Sequence, residues 1–421
     1  MPSSCPELAS ATAEIAARSR PWRLPQRAAF ALLATVLFAF FFAAAAPSPL
    51  FVVFQHAWRF SSSLLTVAFA VYAIALLVSL LVAGSLSDHI GRRPVVLAAL
   101  VLQAVAMGLF LLANGIGGLI VARVVQGIAT GVASGALSAA VVEAAPASRK
   151  RLGAMITSVS PLAGLAAGAL LTGVAVKFSV QPVMLVFGVL AAVFALGAAV
   201  VLWMPETVTP RAGALASLVP RVSIPAKARA EFARGLPVFV VVWALGGLYL
   251  SLAPSLMLHV FGIDNGVVNG LTVAVLSGTG AIAPTLLGRL AAPRPAIAGM
   301  ASIALGLLLL LASLATRSLA LFFVGTAVAG VGFGGAFSAL VQTLAPMAQS
   351  HERGELFAAI FVVSYLAFSL PAMLAGFLVA PLGLLNTTEG YAAVLLLIAA
   401  FGTWSQWALL RRMRRELPLR G

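Results

Sequence analysis

Apolar residues run in long blocks along this chain, separated by short polar and basic breaks. The charge-poor blocks fall near 28–54, 62–86, 94–113, 117–142, 152–176, 180–204, 236–258, 267–288, 296–315, 318–345, 356–380 and 390–410. A membrane-crossing helix needs about 20 apolar residues, so the pattern predicts twelve spans. The stretch from Pro94 to Val142 is continuous. It is divided at Asn114-Gly115-Ile116-Gly117-Gly118, residues that favour a turn over a helix interior. Alternating segments of about ten residues, the mark of a β-barrel, do not occur. The predicted class is an all-α membrane protein with twelve transmembrane helices.

Composition removes the soluble alternatives. Apolar types make up 62% of the 421 residues and charged types 9%, against about 25% charged in a soluble domain. A soluble enzyme of this length lacks the charge to cover its surfaces. The net charge of +15 does not point to nucleic acid, because the basic residues sit in short clusters between apolar runs. Cys5 is the one cysteine, so no intrachain disulfide or thiol–metal site is available. The first apolar run lacks a small-residue cleavage pattern and reads as a retained span, not a removed signal peptide.

Charge then orients the spans. Of the 26 Lys and Arg residues, 22 fall in one alternate set of loops and tails. The opposite set holds only Arg59, Lys177 and Arg317, and Arg123 lies inside a span. By the positive-inside rule both termini are expected in the cytoplasm. The expected setting is a bacterial inner membrane, crossed many times.

The longest non-apolar segment, 205–235, divides the spans six and six. Expected boundaries are a cytoplasmic tail at 1–27, bundles at 28–204 and 236–410, a cytoplasmic linker between them, and a tail at 411–421. A short amphipathic helix is expected around Ile224–Phe232. Three short matches recur in order about 200 residues apart. Ala46-Pro47-Ser48 pairs with Ala253-Pro254-Ser255, and Ala145-Pro146 with Ala345-Pro346. Ser160-Pro161-Leu162-Ala163 pairs with Ser364-Tyr365-Leu366-Ala367. Repeated six-span halves place a site between them near the bilayer midplane.

Between the second and third runs stands Gly84-Ser85-Leu86-Ser87-Asp88-His89-Ile90-Gly91-Arg92-Arg93-Pro94. Gly84 lets two helices approach, and Gly91 permits a tight reversal. Asp88, at a helix end, needs a cationic or helix-N-terminal partner. Arg92 and Arg93 hold the loop on the basic side. The pattern Gly-x-Leu-small-Asp-x-x-Gly-Arg-basic resembles the signature loop of the major facilitator superfamily (MFS). With twelve spans and a basic central loop, the resemblance covers about residues 28 to 410. It implies the MFS fold of two six-helix bundles and a secondary active transporter that works by alternating access. It also implies a conformational latch carried by Gly84, Asp88, Gly91, Arg92 and Arg93. In the second half, aligning Pro295 with Pro94 sets Arg289 against Asp88 and Ala292 against Gly91, so the latch is expected in the first half alone.

Arg123-Val124-Val125-Gln126-Gly127 resembles the family's Arg-x-x-Gln-Gly element, whose arginine is associated with proton coupling or substrate contact. A charge inside a span costs at least about 2.5–3.5 kcal/mol unless it faces protein or water. Arg123 is therefore expected to face the cavity and find acceptors there; the alternative is snorkelling to the outer interface. Gly127, Gly131 and Gly135 read as small residues for close helix packing. Ser160-Pro161-Leu162-Ala163-Gly164 faintly resembles an element of proton-driven exporters. Met204-Pro205-Glu206-Thr207 resembles a family ending of span 6 and reads as a stop signal without chemistry.

None of the eleven acids lies in the middle of a span. A cavity with one arginine and no carboxylate disfavours cations. Glu143, at the inner end of span 4, is the acid left as a coupling candidate beside Arg123 and Gln126. Asp264 reads as an outer-loop residue, and His56 and His259 as interfacial. Spans 1, 4, 7 and 10 line the pore in the family, which nominates Thr35, Phe38, Gln126, Thr130, Trp243, Tyr249, Phe333, Phe337 and Gln342. Tyr72 and Tyr365 join from spans 2 and 11. The scattered His56, His89, His259 and His351 offer no enzyme constellation.

The expected function is export of neutral or weakly acidic amphipathic small molecules by proton antiport. The alternative is proton-coupled uptake of a small organic anion, with Arg123 on its carboxylate. Expected partners are the small-molecule substrate, the proton and the lipid bilayer, with no nucleic acid, cofactor or metal. A monomer suffices for this architecture.

Overall fold

Inside a bilayer every backbone N–H and C=O must find a partner within the protein, and the chain meets this with helices. A computed structural model describes residues 24–416 except 147, 149, 205, 288–289, 291–293 and 350–351. Among the described residues twelve helices are long and apolar enough to cross a membrane. In the first half they are span 1 (Gln26–Trp58), span 2 (Ser62–Ile90), span 3 (Arg92–Leu112), span 4 (Ile116–Ala144), span 5 (Lys150–Phe178) and span 6 (Pro182–Val201). In the second they are span 7 (Arg229–Ser251), span 8 (Gly266–Leu287), span 9 (Arg294–Thr316), span 10 (Leu319–Met347), span 11 (Arg353–Leu382) and span 12 (Leu384–Ala408). Among the described residues there is no strand. Mid-span side chains such as Val78, Leu171, Val189, Leu308, Leu374 and Val394 are more than half exposed. In water that would be a defect; in lipid it is the required outer surface.

The helices part at Ala113–Gly115, within the expected division, but Ile116, Gly117 and Gly118 form the first helical turn of span 4 instead of a connecting turn. The linker differs from expectation. Pro220 and Pro225 keep helix out of that stretch, so no separate helix forms around Ile224–Phe232. Arg229–Phe232 instead make the first turn of span 7, stabilised by Glu231–Arg234 at 3.3 Å. Earlier linker residues fold under the span 2–3 loop: the Arg211 N–H donates to the His89 carbonyl (2.8 Å), and Ser85 Oγ to the Ser217 carbonyl (3.1 Å). At the other end, helix continues past Ala408 to Glu416, with Arg411 stacked 3.4 Å from the Trp407 ring centre.

Among the described residues two apolar cores form, one built on spans 1–6 that crosses the seam to take in Leu250, Val273, Tyr365, Phe368 and Ala372, and one within spans 7–12. Within the first, the glycine stripe of span 4 packs on span 2: a methyl on Gly127 or Gly131 would strike the carbonyls of Tyr72 or Leu76. The halves meet along spans 2 and 11 and spans 5 and 8. Their close contacts lie away from the linker, on what we call the far face. There Gly173 of span 5 abuts the Gly266 backbone, Gly270 abuts Ala169, and Gly376 of span 11 abuts Thr66. Among the described residues two hydrogen bonds join the halves: Ser63 Oγ to the Gly376 carbonyl (2.9 Å) and Ser48 Oγ to the Leu250 carbonyl (2.8 Å).

The repeated Ala-Pro-Ser elements mark helix breaks. Span 1 is interrupted at Ala46, with Pro47 opening its second segment. Span 7 ends at Ser251, and Pro254 lies in the first turn of the short helix Ala253–His259 that follows. Proline lacks the N–H that would bond the carbonyl four residues back. Pro47 therefore releases the Ala43 carbonyl, and Pro254 releases that of Leu250.

Candidate functional site

The freed Ala43 carbonyl organises the polar centre of the first half. Gln126 Nε2 donates to it at 2.7 Å, which turns Gln126 Oε1 toward Arg123, whose Nη1 donates at 2.7 Å. Arg123 Nε donates to the Ala68 carbonyl of span 2 at 3.3 Å. Its guanidinium lies 4.1 Å from the Tyr72 ring centre and 6.0 Å from that of Phe51. Thr130 Oγ1, one turn on, donates to the Gln126 carbonyl (2.8 Å). Arg123 is only 1% exposed. It neither snorkels nor stands free: carbonyl, amide and π-faces replace its water, and no carboxylate takes part.

Opposite, the second half supplies aromatic rings. Trp243 packs against Tyr365 (4.7 Å between centres), Phe337 (5.8 Å) and Phe368 (5.9 Å). Phe368 meets Phe69 of span 2 at 4.8 Å, across the seam. Phe69 is three residues from Tyr72, hence on the same helix face. The polar centre and the aromatic cluster are thus neighbours along one wall of span 2.

A third group sits at the linker face. Arg92 Nη1 pairs with Asp88 at 2.5 Å, and its Nε and Nη2 reach Glu143 Oε1 at 3.4 Å. Ser87 and Thr207 complete the cluster, Thr207 Oγ1 donating to Glu143 at 2.8 Å. Glu206 accepts from the N–H groups of Arg92 (2.7 Å) and Arg93 (3.0 Å), so its carboxylate caps span 3 where the helix dipole is positive. Arg93 also binds the Leu202 carbonyl. Gly91 has φ 104°, and any side chain there would collide with the Glu206 carboxylate. The positive φ requires glycine, and a side chain would also push the Glu206 carboxylate off the span 3 N–H groups.

A family model for the Major Facilitator Superfamily matches residues 32–372. The chain belongs to the Major Facilitator Superfamily. It is a membrane transporter and not an enzyme. Solved MFS structures share its fold at low sequence identity. A bacterial homologue of the human lysosomal transporter Spinster, in an inward-facing and unoccupied conformation, has TM-score 0.73 and 14% identity over 93% of this chain and 98% of that one. The human organic anion transporter MFSD10 has TM-score 0.62 and 18% identity over 90% and 100%. A mutant form of the nucleoside transporter NupG has TM-score 0.66 and 10% identity over 91% and 99%. A sequence comparison with curated proteins finds no match.

In this MFS transporter the nominated residues separate into groups. Arg123, Gln126, Thr130 and Tyr72 come together, as do Trp243, Phe337 and Tyr365; Phe333 lies against Gly246 beside them. Tyr249 does not join: its hydroxyl bonds Thr326 at 2.8 Å inside the second core. Thr35 is exposed, Phe38 contacts Phe42, and Gln342 is exposed and bonded to Ser338. Glu143 belongs to the Arg92 cluster. It lies 20 residues beyond Arg123 on one helix, about 30 Å away at 1.5 Å per residue. Arg289, Ala292 and His351 lie outside the described residues. Phe51, Phe69, Phe368 and Glu206 are members that sequence reasoning did not nominate. For Glu206 the signal was an acid directly after span 6.

Proposed function

We propose that this chain exports neutral or weakly acidic amphipathic small molecules from the cytoplasm of a bacterium in exchange for protons. The two halves, near 28–204 and 236–410, rock about the site between them. The observation that supports this most is the makeup of the seam: the cluster of Trp243, Phe337, Tyr365 and Phe368 beside Tyr72–Arg123, with no acid in the middle of any span. Aromatic walls favour flat apolar bodies, and a lone guanidinium favours a neutral or anionic end over a cation. The positive-inside bias puts the linker face in the cytoplasm. The far face is then external, and the described conformer is closed outside. The Asp88–Arg92–Glu143–Glu206 cluster serves as the latch, Glu143 in it is the acid that takes the proton, and Arg123 and Gln126 couple to or contact the substrate beside Tyr72. A single copy carries the whole path.

A second reading, uptake of a small organic anion by proton symport, draws on Arg123 and on the fold shared with an organic anion transporter. The deciding experiment follows neutral, anionic and cationic fluorescent compounds in a host stripped of its own efflux pumps, with and without a protonophore. Lowered accumulation of neutral or weakly acidic compounds, reversed by the protonophore and by Arg123→Ala, is expected. Raised accumulation of anions alone would establish the second reading, and export confined to cations would refute both. Arg123→Lys separates a charge effect, which lysine retains, from bidentate carboxylate binding, which it does not.

A further inference from the structure

The helix of span 12 runs unbroken from Leu384 to Glu416. Arg411 follows Glu389 by 22 residues, about 33 Å at 1.5 Å per residue, close to the thickness of a hydrocarbon core. No charge stands between the two. Along this stretch the helix turns one stripe to lipid: Val394, Leu397, Phe401 and Trp404 recur at three- and four-residue spacing, and each is more than half exposed. Trp404 and Trp407 fall in the last turns before Arg411, where aromatic rings mark a membrane–water boundary. The opposite side of the helix is tied to the bundle. Gly402 packs on Met300 and Pro237, and Gln406 Nε2 donates to the Arg234 carbonyl at 3.4 Å. Arg411 is exposed at the end of the lipid-facing stripe.

Arg411 is held differently from basic residues at other span ends. Arg92 pairs with Asp88, and Arg234 with Glu231. Arg229 and Arg353 donate to the backbone carbonyls of Ile224 and Ala348. The Arg411 guanidinium lies over the Trp407 ring, 3.4 Å from its centre. Stacking of this kind restrains the guanidinium while its N–H groups still point outward in its own plane. Three more arginines follow in the sequence, Arg412, Arg414 and Arg415, against one acid, Glu416.

We propose that this end of span 12 is a binding site for one anionic phospholipid of the linker-face leaflet. Arg411 takes the headgroup phosphate as a fork, two N–H groups on two oxygens. An acyl chain lies along Trp404, Phe401, Leu397 and Val394. Trp407 is a positioning residue, since its ring face holds the guanidinium at the headgroup level. The run of arginines adds attraction for a lipid of net negative charge, whereas a zwitterionic lipid brings the same phosphate with a cation beside it. The site lies on the lipid-facing side of the second half, apart from Arg123 and the aromatic cluster, and does not depend on which way substrate moves.

The test uses the full-length protein in a mild detergent, titrated with phosphatidylglycerol, with phosphatidylcholine of the same acyl chains, or with inorganic phosphate, and counts bound lipid by native mass spectrometry. One tightly held phosphatidylglycerol per chain is expected, preferred about tenfold over phosphatidylcholine. Arg411→Gln should weaken it about tenfold, the size of a lost charge-assisted hydrogen bond. Arg411→Lys keeps the charge but loses the fork and the stack, and should fall between. Trp407→Leu should weaken binding severalfold with Arg411 intact. Arg415→Gln removes the same charge from the run and should do less than Arg411→Gln. Inorganic phosphate should leave the lipid in place, because it cannot use the apolar stripe. Arg411 and Trp407 are exposed, so these variants test the site without disturbing the bundle. Four results would overturn the proposal. They are equal binding of the two lipids, binding that Arg411→Gln leaves unchanged, equal losses in Arg411→Gln and Arg415→Gln, or displacement of the lipid by inorganic phosphate. Equal losses would reduce the site to diffuse attraction by the basic run, and displacement would make it a site for free phosphate.

Discussion

The two proline breaks begin from the same three residues and end in different hands. In the first half the carbonyl released by Pro47 is taken by Gln126 of the same half, and that bond aims Gln126 at Arg123. In the second half the carbonyl released by Pro254 is taken by Ser48, which belongs to the first half. One break builds an internal polar centre; the other is a tie between the halves. Related sequence therefore fixes where a backbone acceptor appears, while the neighbouring helix decides what it does. The tie at Leu250 exists only while the halves are close there, so it contributes to one conformer. The Ala43 bond lies inside one bundle and should persist in both.

Gln126→Leu is expected to have the largest effect. It strands the Ala43 carbonyl and removes a partner from a buried guanidinium, which costs about 3–5 kcal/mol for an uncompensated charge. Transport should vanish, and the melting temperature, followed by size-exclusion after heating, should fall; a variant as stable as the parent would show the centre to be dispensable. Pro47→Ala comes next. It returns an N–H to Ala43, competes with Gln126, and should cut transport severalfold with little loss of fold. Pro254→Ala should spare Arg123 and act on the tie alone, so equal transport defects in the two proline variants would erase the distinction between the breaks. Ser48→Ala should be milder, leaving one buried carbonyl unpaired only when the far face is closed, at about 1–3 kcal/mol. Spin-label distances across the far face should shift toward the open state, and an unchanged distribution would count against the tie. Smallest is Glu206→Gln, which keeps one acceptor oxygen, sets an amide N–H against the second of the two backbone donors, and removes the charge. A loss of about 0.5–2 kcal/mol from the span 3 cap is expected, read as a drop in thermal stability of which salt screens the charge-dependent part.

The span pattern was legible because lipid demands long apolar runs and tolerates little else. The break between spans 3 and 4 and the glycine stripe of span 4 were legible for local reasons too, although Gly117 and Gly118 turned out helical. The Ala-Pro-Ser repeat was visible as a repeat, but the partner of each freed carbonyl depends on which helix lies opposite. Arg123 drew notice as a lone charge; that Tyr72 would cover it was not readable from either segment. Phe69 and Phe368 stayed hidden because helices that are apolar all round do not announce which face meets protein and which meets lipid. Tyr249 misled for the same reason: its helix turns it into the second core. Glu206 looked like punctuation, since capping is a property of a fold-back between span 6 and span 3, far apart in the chain.

The linker's attachment to the span 2–3 loop has a consequence for how far the machine can travel. Residues 211–218 ride with the first half, held by the Arg211–His89 and Ser85–Ser217 bonds. The free cord is therefore only 219–228, ten residues before span 7 begins. Pulled taut at about 3.3 Å per residue, it reaches about 33 Å. Any separation of the halves on that side must fit within this leash. Shortening it residue by residue would set a stroke limit independent of substrate, ion or latch.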